Sequence, residues 1–189
     1  MHAMADITET DNELACRAQA GSLGCFEELV RRYQVPLLRF LQRRSPNPHD
    51  AEDVIQDAFL RAYQSIGSYR SDQPFKPWLF TIAYRLSIDT ARRRRPAGPS
   101  FDEFTRETDN TPLEHASRND SKDHLWQTVR RVLKDEPFAT VWLHYGESMP
   151  TADIAKIIGR SQDWVKTALL RARAKIKNAL EQNERASHE

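Results

Sequence analysis

TADIAKIIGRSQDWVKTALLRARAKIK, residues 151–177, is the stretch on which the reading of this chain turns. Thr151 to Ile158 forms a short helical pattern closed by Gly159, a residue suited to the left-handed position just past a helix end. Ser161 is placed to cap a second helix, with Val165, Leu169, Ala172, Ile176 and Leu180 on its inner stripe. A helix, a tight turn at Gly159-Arg160-Ser161 and a second helix make the layout of a helix-turn-helix. The inner stripe leaves Gln162, Trp164, Lys166, Thr167 and Arg171 pointing elsewhere, near the end that would enter a major groove. Arg173, Lys175 and Lys177 extend the basic surface, so residues 168–177 hold four bases and no acid. A helical hairpin with a solvated basic face is the rival reading. The glycine turn, the serine cap and the acid-free run favour DNA.

Working upstream, residues 74–96, PFKPWLFTIAYRLSIDTARRRRP, join rings, an amphipathic pattern and an arginine run. Leu79, Ile82, Ala83 and Leu86 recur at three- and four-residue steps, which marks one face as core. A second face carries Trp78, Thr81, Arg85, Ile88 and Arg92. Rings that stack on unpaired bases beside guanidinium groups that bind phosphate suit a single-stranded nucleic acid. Two plainer explanations stand beside this: arginines complement the macrodipole at a helix C-terminus, and Trp78 is a core residue.

The other segments also read as helix, with no strand alternation of useful length. Ser22 is a candidate cap for a helix with Phe26, Leu29, Val30 and Tyr33 on one face; Pro36 kinks or restarts it before Leu37, Leu38 and Leu41. Asn47-Pro48 opens a further helix that runs to about Ile66, with Ala51, Ile55, Ala58, Phe59 and Ala62 inside. Its acids Asp50 and Glu52 suit a helix N-terminus, whereas Asp53, Gln56, Asp57 and Leu60 share a further face able to dock a partner. Gly67 to Pro77 reads as a loop. Beyond the 96–121 stretch, Leu125, Val129, Val132 and Leu133 mark one helix, and Phe138, Val141, Trp142 and Tyr145 another. The expected class is all-α, in two small domains.

Net charge is only +1, from 28 Lys and Arg against 27 Asp and Glu, but it is segregated. Residues 96–121 hold three prolines and six acids (Asp102, Glu103, Glu107, Asp109, Glu114, Asp120) against Arg106 and Arg118, as expected of an extended linker. The domain expectation is therefore 1–95, a linker over 96–121, 122–182, and a polar tail over 183–189. With no apolar leader or membrane-length run, a soluble, cytoplasmic chain without membrane insertion is expected. Cys16 and Cys25 read as small buried hydrophobes. The six histidines show no metal-ligand spacing and the six glycines no phosphate loop, so no metal, cofactor or catalytic residue is expected.

Segments Asp50–Tyr63, Pro74–Arg95 and Asp153–Lys175 resemble, in order and spacing, the motifs of bacterial RNA polymerase sigma factors of the sigma-seventy family, in its compact extracytoplasmic-function (ECF) group. The resemblance spans roughly Asn12 to Leu180. It implies a region-two domain, a linker and a region-four domain that direct core polymerase to promoters. Asp53, Gln56, Asp57 and Leu60 would then bind the clamp coiled coil of the largest polymerase subunit. Tyr69, Lys76, Trp78, Tyr84, Arg85, Arg92 and Arg93 would take the non-template strand of the minus-ten element. Ser161, Gln162, Trp164, Lys166, Thr167, Arg171 and Arg173 would meet the minus-thirty-five element. The acidic linker would thread the RNA-exit region, and an anti-sigma protein is an implied partner. The chain departs from the usual family pattern at Tyr84-Arg85, Trp164, Ala168 and Leu170. A regulator whose basic helix serves a protein partner is the alternative.

Overall fold

The computed structural model describes residues 9–45, 48–94 and 120–186, and these contain eight α-helices and no strand. Helices α1 (Asp11–Gln19), α2 (Leu23–Arg44), α3 (Pro48–Ser65) and α4 (Phe75–Arg94) pack as one bundle. Helices α5 (Asp120–Val132), α6 (Asp135–Val141), α7 (Thr151–Ile158) and α8 (Gln162–Ala186) form a second. Most of the linker expected over 96–121 lies outside the described residues, as does Asn47. The tail expected from 183 is partly helix, because α8 continues to Ala186.

Helix α1 was not among the expected elements, although its signal is local. Thr10-x-x-Glu13 is a capping box: the Glu13 amide donates to Thr10 Oγ1 (3.3 Å) and the Thr10 amide to Glu13 Oε2 (2.7 Å). From this helix Asn12 reaches across the chain and accepts the Phe75 amide proton (3.0 Å), so α1 caps α4. Gln19 donates to the Gly67 and Tyr69 carbonyls (2.9 and 3.0 Å) and pins the loop between α3 and α4. With that support α4 starts at Phe75 inside the expected loop.

Pro36 lies inside α2, which remains one helix over 22 residues. A proline there removes one backbone bond. Burial of Phe26, Leu29, Tyr33, Leu37 and Phe40 along one face offsets that loss. Ser22 makes no cap bond; its hydroxyl points to Cys25 Sγ (3.2 Å). Cys25 is buried, Cys16 half-buried, and both are free thiols.

In the second bundle the inner face of α5 carries Trp126, which packs on Trp142 with ring centroids 4.5 Å apart, while Leu125 is exposed. A π turn over Trp142–Gly146 follows α6, and it leaves Tyr145 on the surface rather than in the core. The helix-turn-helix forms as expected. Gly159 has φ +75° and its amide closes on the Ala155 carbonyl (2.9 Å); the Trp164 amide donates to Ser161 Oγ (3.2 Å). Glycine is needed here because a side chain costs about 1–2 kcal/mol in left-handed backbone.

The two bundles are not separate bodies in this structure. Helix α7 packs along α4, and α6 meets α2, so buried side chains form one cluster running from Leu14 to Ala172.

Candidate nucleic-acid interface

Helix α3 is buried through Ala51, Val54, Ala58 and Ala62, so its opposite side must face solvent. Asp53, Gln56, Asp57 and Leu60 are all exposed there, on one patch carrying two carboxylates beside an apolar side chain. Of these Leu60 is 55% exposed.

On α4 the arrangement is different. Arg85, Arg92 and Arg93 are exposed on the outer face as the sequence pattern implied. Trp78 is half-buried, in a ring cluster with Tyr69 (5.4 Å) and Phe75 (5.5 Å). Tyr69 and Tyr84, both expected to meet single-stranded DNA, are only 4% and 2% exposed. Tyr69 donates its hydroxyl to the Gln73 carbonyl (2.6 Å), and burial pushes its pKa up to about 12. Tyr84 is covered by Arg44, whose guanidinium carbon lies 4.4 Å from the ring centroid. Burial raises the Tyr84 pKa, and the neighbouring Arg44 charge partly opposes that. Tyr84 is buried because α4 is covered on two sides, whereas Tyr69 lies ahead of α4 and packs on the Phe75 and Trp78 rings. Leu79, Ala83 and Leu86 face the first bundle, while α7 of the second packs along the same helix.

The junction between the bundles is rich in charge. Lys76, the fourth of the expected strand-binding groups without free exposure, pairs with Glu147 Oε2 (2.9 Å) and donates to the Glu147 carbonyl (2.8 Å). Glu147 sits just past the π turn, beside Ser148 at φ +55°, so irregular backbone delivers this carboxylate to α4. Arg43 pairs with Asp123 (2.5 Å), and Arg44 donates to Ser87 Oγ (2.5 Å). Burial lowers the Arg44 pKa, and its shielded Nε has no hydrogen-bond partner. An unmatched buried donor carries a free-energy cost of about 1–3 kcal/mol. None of Arg44, Glu147 or Asp123 is marked by a motif; their pairings span 40 to 80 positions in the chain, beyond any local pattern.

Helix α8 keeps its outer side open. Lys166, Thr167, Arg171, Arg173, Ser161 and Gln162 are exposed. Several of the expected groups are nevertheless engaged. Gln162 Nε2 donates to Thr151 Oγ1 (2.8 Å), tying the start of α8 to the start of α7. Trp164 is half-buried, and Arg160, itself held by Glu136 (3.0 Å), lies 5.6 Å from its ring centroid. Arg173 rests on Tyr145, with Nε donating to the phenol oxygen (2.5 Å).

A helix-turn-helix with an open basic helix, behind an arginine-bearing helix and an acidic patch, points to transcription machinery. The family model for sigma-70 region 2 matches residues 29–97. The ECF RNA polymerase sigma-E factor of Haemophilus influenzae is 30% identical over 185 residues, covering 91% of this chain and 96% of that protein. The chain belongs to the ECF RNA polymerase sigma factors. The sigma-E factor of Escherichia coli is 30% identical over 188 residues, covering 91% of this chain and 95% of its own length. Sigma-H of Pseudomonas aeruginosa is 29% identical over 185 residues, covering 92% and 95% of the two chains. Among solved structures, CnrH in complex with the cytosolic domain of CnrY matches with TM-score 0.70 at 25% identity, over 92% of this chain and 99% of that one. RpoE of Bartonella quintana, solved with the anti-sigma factor NepR, shares the fold (TM-score 0.66, 22% identity, 82% of this chain and 96% of that one). As an ECF sigma factor, this chain acts in transcription initiation with RNA polymerase. Among the described residues, no helix is long and apolar enough to cross a membrane, and no group of side chains is disposed to hold a metal ion.

Proposed function

We propose that the sigma factor divides its work among three helices of this structure and itself catalyses nothing. Region two spans 1–95, the linker 96–121, and region four 122–182. The α3 patch of Asp53, Gln56, Asp57 and Leu60 docks on the clamp coiled coil of core polymerase. Helix α4 holds the unpaired non-template strand of the minus-ten element through Trp78, Tyr84, Arg85, Arg92 and Arg93, with Tyr69 and Lys76 at its head. Helix α8 enters the duplex of the minus-thirty-five element. The observation that carries the division is the state of the three surfaces: the α3 and α8 faces are open, whereas Tyr84 on α4 is 2% exposed. Strand capture through Tyr84 therefore requires the side chains that cover its ring, Arg44 among them, to move aside. An anti-sigma protein that holds the closed form fits the same requirement, and the protein-bound regulator is then one state of the sigma factor, itself cytoplasmic.

Reconstitution with purified core polymerase and a genomic promoter library tests this. Promoter-dependent initiation above core alone is expected. Asp53→Lys with Asp57→Lys should lose core binding while keeping its helical content; each contact is worth about 1–3 kcal/mol if desolvated in the interface. Arg85→Ala with Arg92→Ala should bind duplex promoter and fail to open it, read by permanganate reactivity of thymines. Initiation no better than core alone would remove the proposal, and full opening by the α4 variant would remove the role of that helix.

A further inference from the structure

Helix α8 advances 100° per residue, so its buried stripe of Val165, Ala168, Leu169 and Ala172 fixes which side chains stand opposite. That outward line is Asp163, Thr167, Leu170 and Ala174, all exposed. Lys166, Arg173 and Lys177 run along one flank of the line, and Arg171 and Lys175 along the other, again exposed. Leu170 is 67% exposed, the highest value among the exposed large hydrophobic side chains of the described residues. A single exposed leucine needs no explanation by itself. Here it stands between two rows of cations, and that arrangement matches one kind of partner.

The major groove is about 12 Å wide, and a helix with its side chains is about 10–12 Å across. A helix seated there places its flanks against the two phosphate walls and its outward line against base edges. Leucine has no donor or acceptor, and the only apolar group on the major-groove edge of any base pair is the thymine C5-methyl. Resting on the proposed role of α8 as a duplex reader, we infer that Leu170 selects a thymine in the minus-thirty-five element by packing against that methyl group. Lys166, Arg173 and Lys177 bind phosphates of one wall, and Arg171 and Lys175 bind those of the other. The inference moves base reading away from Gln162, whose amide is spent on Thr151, and from half-buried Trp164.

The test uses the holoenzyme assembled from the full chain and core polymerase. Selection from promoters randomised upstream gives the preferred sequence, and each selected thymine is then replaced singly by uracil, which lacks the methyl. The wild type should lose about fourfold in affinity at one position, the value of one buried methyl-sized group (~0.8 kcal/mol). Leu170→Ala should bind thymine and uracil equally there and keep its preferences elsewhere. Lys166→Ala with Arg171→Ala should weaken binding to all sequences and flatten its salt dependence. An undiminished preference for thymine over uracil in Leu170→Ala, or no selected thymine, overturns the inference. If the lysine and arginine variant nevertheless binds more weakly and with a flatter salt dependence, the reading of α8 survives that failure. Unchanged affinity and salt slope in that variant would remove the reading itself. Intact DNA selectivity in Leu170→Ala, together with lost binding of a protein, would assign the leucine to a protein interface and overturn the inference as well.

Discussion

Helices α4 and α8 are both long, both carry an apolar stripe and several cations, and the structure treats them oppositely. Helix α8 has one apolar stripe, packs against α5, α6 and α7, and keeps its outer side open. Helix α4 adds Phe80 and Tyr84 to its Leu79, Ala83 and Leu86, and all five are buried because α2, α3 and α7 surround it. The width of the apolar surface sets how many neighbours a helix must have. A narrow stripe leaves a face free for a ligand, and a wide one recruits a second bundle to cover it.

The sharpest way to break the comparison is truncation on each helix. Phe80, 0% exposed and packed on Phe40 at 5.5 Å, should cost about 3–5 kcal/mol of stability as Phe80→Ala. Leu170→Ala should stay within about 0.5 kcal/mol of wild type, since its side chain is largely in water. Urea unfolding of both variants measures the difference. Similar losses would mean that α8 is covered too.

A smaller effect is expected at the junction itself. Lys76→Glu sets two carboxylates face to face where Lys76 and Glu147 now pair, and should destabilise the closed packing by about 1–3 kcal/mol. The radius of gyration from small-angle scattering should rise. Combining it with Glu147→Lys should restore the compact value, and a double variant as open as the single one would show that the pair is not specific.

The smallest effect is alkaline. Burial holds the Tyr84 pKa above its ordinary value of about 10. An acid whose pKa is raised by folding binds its proton more tightly in the folded chain. Its contribution is constant below pH 10 and is lost as pH rises further, because the unfolded chain then ionises first. Tyr84→Phe should flatten the decline of stability above pH 10. In Lys76→Glu the phenolate absorbance of Tyr84 should appear at lower pH than in wild type, as α7 withdraws. Identical titration in the two proteins would mean that α4 stays covered.

Much of this was legible from local pattern. The stripes of α3, α7 and α8, the left-handed Gly159 and the Ser161 cap depend on residues within one or two turns, and such short-range rules survive any tertiary context. The same reach put Asp53, Gln56, Asp57, Leu60, Lys166 and Arg171 on exposed faces. Helix α1 was within that reach through Thr10 and Glu13, whose capping box is complete within four residues. The extra half-turn at the start of α4 was not, since its cap, Asn12, lies 63 positions away. Neither were the buried positions of Tyr69 and Tyr84, which depend on groups brought in by α1, α2 and the second bundle.

By itself, then, the sequence determined an all-α chain of two helical groups, a helix-turn-helix with basic flanks, and membership of the sigma factors. The helices and the turn follow from periodicity and caps carried by neighbouring residues, and the family from the resemblance of three ordered motifs to known sigma factors. Only the tertiary structure decided which of the candidate surfaces is open. Closing the second bundle on the first depends on Lys76 meeting Glu147 and Arg43 meeting Asp123. Contacts between residues so far apart in the chain form through the packing of whole helices, for which local spacing carries no signal.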